Sequence, residues 1–144
     1  MKIIDKSAAK SLSPLTLAFY GDSVYEVLVR QKIVLNGSLP ASKLHKAAVE
    51  RVRASYQSMA YDLVETMLNE DEADIMRRGR NANGNHIPKS SNPRDYRRAT
   101  GIEALFGYLH LIGEKERMEE LFEVIYRAGT EQPESAGTSS DEAR

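Results

Sequence analysis

The chain has 144 residues, 41% hydrophobic and 28% charged, with a formal net charge of −1 and no cysteine. That length suits one domain with a sizeable core, and the composition excludes a wholly disordered chain. No apolar run approaches the roughly 20 residues that span a bilayer, and disulfide frameworks, thiolate metal sites and cysteine nucleophiles are excluded outright.

The first residues, MKIIDKSAAKSLSP, lack the apolar centre of a secretory signal, so a cytoplasmic location is expected. Ser13-Pro14 is a helix start, a capping side chain followed by a residue that has no amide hydrogen to satisfy. Apolar residues run from there to Leu35, and Asn36-Gly37 supplies the stop. A second helix starts near Ser42, after Pro40, and carries Leu44, Ala47, Ala48 and Val52. A third carries Tyr56, Met59, Ala60, Leu63, Val64 and Met67 at helical spacing. Glu70, Asp71, Glu72 and Asp74 suit the positive end of a fourth helix, and Arg77–Arg80 its negative end. Residues 81–93, NANGNHIPKSSNP, read as a loop. A fifth helix covers about 94–112 and stops at Gly113. A sixth covers 114–128 with Met118, Leu121, Phe122, Ile125 and Tyr126 on one stripe, and Gly129 is expected to end it. Residues 130–144 are polar, acidic and aperiodic and are expected to be a disordered tail. The fold class is therefore all-α, one domain of about six helices spanning 1–129, with no strand and no internal repeat.

Charge is strongly segregated. The tail carries Glu131, Glu134, Asp141 and Glu142 against Arg144, and 65–74 holds Glu65, Glu70, Asp71, Glu72 and Asp74 with no basic residue. Residues 77–98 hold Arg77, Arg78, Arg80, Lys89, Arg94, Arg97 and Arg98 against Asp95 alone. The average charge thus says little about what the surface attracts. The basic block can follow nucleic-acid phosphates, with Asn81, Asn83, Asn85 and His86 adding hydrogen bonds, or it can pair with the acidic run beside it.

Two carboxylates keep unusual company. Asp22 lies in LAFYGDSVYEVLV and Glu103 in ATGIEALFGYLHL, both mid-helix among apolar residues, where an ionised carboxylate needs a partner or a metal. Gly21 adjoins Asp22, while Gly101 and Gly107 flank Glu103; each lets another backbone come close at about 1 kcal/mol of helix propensity. Glu26, four residues after Asp22, shares its face. Arg30, Arg97 and Arg98 are available as ion-pair partners, so spacing alone leaves ion pairing and metal chemistry both open. There is no G-x-x-x-x-G-K-S/T loop and no H-E-x-x-H, and the three histidines are dispersed. His45 and His110 read as structural, and Tyr20, Tyr25, Tyr96 and Tyr108 as packing residues with bonded hydroxyls.

Residues 17–29, LAFYGDSVYEVLV, resemble the signature of the ribonuclease III family, F-L-G-D and then serine or alanine opening an apolar helix. Residues 102–111, IEALFGYLHL, resemble that family's second acidic helix with its V-E-A-L-I-G core. The closer likeness is to its short bacterial branch, Mini-ribonuclease III, which lacks a double-stranded-RNA-binding domain. The matching words are LAFYGDSVYEV, LHKAAVERVRA, IMRRGRNAN, PKSSNPRDYRRAT and IEALFGYLHL, and together they cover about residues 10–129.

The resemblance implies a homodimeric endoribonuclease that cuts double-stranded RNA to leave 5′-phosphate and 3′-hydroxyl ends. It implies magnesium held by Asp22 and Glu103; Glu26, one turn past Asp22, is by its position a candidate third ligand, and a surface glutamate or an arginine's partner is its other possible role. RNA contact is implied for Arg77, Arg78, Arg80, Asn81, Lys89, Arg94, Arg97 and Arg98. Phe19 matches the family's aromatic that inserts into the partner subunit; intrachain packing is its other possible fate. The implied task is maturation of the ends of large-subunit (23S) ribosomal RNA precursor, on a substrate shaped by a ribosomal protein. Two carboxylates of ordinary ribonuclease III are replaced, by Ala18 and Thr100, as in the Mini branch. Two other readings stand beside this one: a non-catalytic duplex-RNA-binding module of the same fold, and a helical protein–protein adaptor.

Overall fold

A computed structural model describes residues 2–82 and 86–142, those from 131 on by backbone alone. Among the described residues there are seven helices and no strand: α1 (Lys6–Lys10), α2 (Pro14–Leu35), α3 (Ala41–Val52), α4 (Ala54–Glu65), α5 (Glu70–Arg80), α6 (Pro93–Leu111) and α7 (Lys115–Glu142). The all-α, single-domain expectation holds. None of these helices is long and apolar enough to cross a membrane.

Capping chemistry sets most boundaries. The Ser13 hydroxyl accepts from Thr16 N, with Pro14 as first helical residue of α2. Asn69 and Glu72 form a reciprocal capping box at the start of α5. Asn92 accepts from the amides of Arg94 and Asp95 at the start of α6. The expected stops at Gly37 and Gly113 both adopt positive φ, 123° and 77°. α1 was not foreseen. It is one turn long, too short for hydrophobic periodicity, and depends on Asp5 accepting from Ala8 N.

α6 is the central helix. From Ala99 to Leu109 every residue except Glu103 is buried, the pattern of a helix surrounded by protein. α2, α4 and α5 lie against it, and α7 packs on α4 and α6. Gly21 and Gly107 bring α2 and α6 into backbone contact. A Cβ on Gly21 would lie 1.7 Å from the Glu103 carbonyl oxygen, and one on Gly107 would lie 2.2 Å from that of Leu17. Between the helix ends, Tyr25, Phe106 and Phe122 pack edge to face at centroid distances of 5.4–6.3 Å.

α7 buries Met118, Leu121, Phe122 and Ile125, as its stripe predicts. It does not stop at Gly129, however, and its backbone stays helical to Glu142, over the stretch expected to be a disordered tail. Gly129 is a close-approach residue, since a Cβ there would meet the Tyr56 hydroxyl at 2.0 Å. The inward face of α4 is wider than expected: Ala60 and Val64 are buried and Tyr56, Leu63 and Met67 pack against the core, and Gln57, Ser58 and Tyr61 are buried beside them.

One ion pair ties α5 to α7. Arg117 donates from Nε and Nη2 to both oxygens of Glu72, each at 2.9 Å, and also to Met67 O at 2.7 Å. Burial pushes the Glu72 carboxyl up, but Arg117 and the Asn69 amide outweigh this and hold it below the usual range.

Gly21→Ala is expected to lower unfolding free energy by about 3 kcal/mol or more, at or above the top of the overpacking range, because a backbone oxygen has no way to move aside. Arg117→Ala is expected to cost about 3 kcal/mol by leaving the buried Glu72 carboxylate unpaired. Chemical denaturation of the two variants beside wild type checks both values.

Candidate active site

The α2–α6 contact decides where the two carboxylates lie. Asp22 follows Gly21 on α2, and Gly21 abuts the backbone of Glu103 itself. Glu103 is half-buried and is the one gap in the buried run of α6 from Ala99 to Leu109, while Asp22 is exposed. Burial and then the neighbouring Glu26 push the Asp22 carboxyl up. Burial and then Asp22 push Glu103 up to about 7, with a hydrogen bond from Gln57 offsetting part of the rise.

The two carboxylates lack the arginine partners that the sequence made available. Arg30 bonds Glu26 at 2.8 Å, and Arg98 bonds Asp62 at 2.7 Å. Among the described residues neither Asp22 nor Glu103 has an ion pair. Glu26 lies close enough to raise Asp22, yet its own oxygen is engaged by Arg30.

Glu103 does have a partner that sequence reasoning missed. Gln57, 2% exposed, donates from Nε2 to Val52 O at 2.8 Å and to Glu103 Oε2 at 3.3 Å. Its Oε1 is buried and has no hydrogen-bond partner among the described residues. The signal was a polar residue at the i, i+3, i+4, i+7 spacing of Gln57, Ala60, Tyr61 and Val64. Thr100 is buried, and its hydroxyl donates to Tyr96 O at 3.0 Å. Tyr25 departs from expectation, for its buried hydroxyl has no partner. Tyr20 and His110 conform, bonded to each other at 2.9 Å.

This set fits a hard divalent cation. It offers oxygen donors only, two carboxylates without a neutralising cation, and one orphaned carbonyl oxygen. Among the described residues no cluster of three or more His, Cys, Asp or Glu is present. That suits an ion that takes one or two carboxylates and fills its remaining positions with water and phosphate, and it lacks the nitrogen and sulfur ligands of a zinc site.

The basic block divides into packed and free residues. Arg80 and Arg98 both approach the Tyr61 ring, their guanidinium carbons 5.7 and 4.8 Å from its centroid, and Arg80 also donates to the Tyr61 hydroxyl. Arg80 further bonds Asn81, and Arg78 donates to Lys10 O. Arg77 pairs with Asp74, the one pairing between the basic block and the acidic run among the described residues, and Arg94 reaches Asp95 at 3.6 Å. Lys89 and Arg97 are exposed and have no ion pair among the described residues. His86 is exposed, whereas Asn83 and Asn85 lie outside the described residues. Phe19, 82% exposed on α2, is not core.

In protein free of metal, unfolding returns Glu103 from about 7 to its ordinary value of 4.5. The folded state therefore holds a proton that the unfolded chain releases, and stability falls as pH rises from 4.5 to about 7. Glu103→Gln is expected to flatten that slope and to gain on the order of 2 kcal/mol above neutrality. Thermal unfolding from pH 4.5 to 8 in chelator checks it.

The family model described as Ribonuclease III domain matches residues 15–114. Mini-ribonuclease 3 of a Thermoanaerobacter species is 45% identical over 123 residues, covering 85% of this chain and 87% of that protein. Mini-ribonuclease 3 of Clostridium tetani is 38% identical over 133 residues, covering 92% and 88%. A solved crystal structure of a Fusobacterium nucleatum protein superposes with a TM-score of 0.75 at 29% identity, covering 81% of this chain and 95% of that one. A matched span that contains both acidic helices, with relatives similar over most of their length, places the chain in the ribonuclease III family of endoribonucleases, within its Mini-ribonuclease 3 branch.

Proposed function

We propose that the chain cleaves double-stranded RNA with magnesium, and that Asp22 and Glu103 are its principal metal ligands. The observation that carries this reading is the pair of adjacent, cation-free carboxylates with raised proton affinity at the α2–α6 contact. Bound there, magnesium supplies Lewis-acid activation of the scissile phosphate and of the attacking water. Asp22, exposed, meets the incoming phosphate side of the site, while Glu103 anchors the inner side. Glu26 becomes a further ligand, directly or through water, only if it leaves Arg30. Arg97 and Lys89 are free to follow duplex phosphates. Arg77, Arg78, Arg80, Asn81, Arg94 and Arg98 are assigned further contacts with the duplex, Arg80 and Arg98 each sitting against the Tyr61 ring.

The working unit of this proposal is a homodimer in the cytoplasm. One centre cuts one strand, so a duplex calls for two centres related by a two-fold axis. Phe19, Val27 and Val34 on α2 are 82%, 64% and 56% exposed and lie on one face, a surface suited to burial against a second copy. The catalytic unit is taken as residues 1–129, with the acidic tail 130–144 outside it. The substrate assigned is the large-subunit (23S) ribosomal RNA precursor, shaped by a ribosomal protein, at whose ends the enzyme acts.

Labelled duplex RNA and precursor ribosomal RNA, incubated with wild type in magnesium, test the reading. Wild type is expected to cut, and chelator to stop it. Asp22→Asn and Glu103→Gln, both checked for folding, are expected to lower the rate by roughly 100-fold or more, exceeding the cost of losing an outer-shell partner. Binding without cleavage on both substrates would overturn the nuclease reading and make the chain a duplex-binding module, with Ala18 and Thr100 the marks of a lost site.

A further inference from the structure

Gln57 occupies a position that packing alone does not favour. A carboxamide buried to 2% exposure must bond both ends or lose about 1–3 kcal/mol for the end left over. Here only the Nε2 end is bonded, to Val52 O and Glu103 Oε2, and the Oε1 end is left over. Val52 is the last residue of α3, and α4 begins at Ala54, so the amide is fixed at the corner between two helices. A side chain anchored at a rigid corner and reaching one oxygen of Glu103 sets which way that carboxylate turns.

We propose that Gln57 is a positioning residue for the metal site: it fixes Glu103 through Oε2, leaves Oε1 of that carboxylate to face Asp22, and offers its own Oε1 as acceptor to a water carried by the bound cation. The inference deepens the nuclease reading and rests on it. It also accounts for an orphaned acceptor beside a carboxylate, since a hydrated divalent ion brings the donors that the protein lacks. A purely structural Gln57 would cap the α3–α4 corner and have no influence on metal affinity.

Two variants separate these roles. Gln57→Met keeps much of the volume and removes both bonding ends. Gln57→Glu replaces the donor facing Glu103 with a third carboxylate. Magnesium binding to RNA-free protein is read by calorimetry, the magnesium dependence of duplex cleavage by kinetics, and folding by melting in chelator. Gln57→Met is expected to weaken magnesium roughly 10- to 100-fold, with cleavage recovering at high magnesium. Gln57→Glu is expected to tighten it, so the two variants move in opposite directions whatever their melting temperatures. Unchanged magnesium affinity in both variants, or shifts in one direction that follow melting temperature, would overturn the proposal while wild-type binding still upheld the metal site. Wild type that binds no magnesium and cuts no duplex would overturn the metal reading itself, and this inference with it.

Discussion

At Gly21 and Gly107 two helices touch backbone to backbone, and the rest of the site depends on that contact. Without side chains to hold them apart, α2 and α6 approach until a single added Cβ would overlap a carbonyl oxygen. The carboxylates next to this contact, Asp22 and Glu103, are thereby held together although 81 positions separate them in the chain. Loss of two helix-favouring side chains costs about 2 kcal/mol in propensity. In return it brings two acidic groups together on neighbouring helices.

What distinguishes this pair from the other acidic residues is the company each keeps. Glu72 is buried too, yet Arg117 bonds both its oxygens and its carboxyl sits below the usual range. Glu103 has an amide and a second carboxylate for neighbours, and its carboxyl is pushed up to about 7. One helical bundle therefore contains a satisfied acid that staples α5 to α7 and an unsatisfied acid that waits for positive charge. The same contrast runs through the basic block. Arg80 and Arg98 sit against Tyr61, while Arg97 and Lys89 are exposed and have no ion pair among the described residues.

The sequence made some of this legible for local reasons. Ser13-Pro14, the acidic start and basic end of α5, and Gly37 and Gly113 are signals written in adjacent residues, so α2, α5 and the ends of α6 could be placed within a residue or two. α1 could not, because one turn has no periodicity. Gly129 was misread because a stop and a close approach use the same residue, and only the Tyr56 ring against it tells them apart. On α4 the polar Gln57 and Ser58 did not enter an apolar stripe, so the residue that bonds Glu103 was not seen. Asp22 and Glu103 themselves were legible as charges in apolar surroundings, but the absence of arginine partners became visible only when Arg30 and Arg98 were seen bonded elsewhere.

The central claim is that the α2–α6 contact builds one cation site from Asp22 and Glu103. Crystals grown with manganese, a spectroscopically visible stand-in for magnesium, test it most directly by anomalous diffraction. A single strong peak per chain, within bonding distance of one oxygen from each of the two carboxylates, is the predicted result. A peak bound elsewhere, or none near these two residues at saturating manganese, would contradict the account.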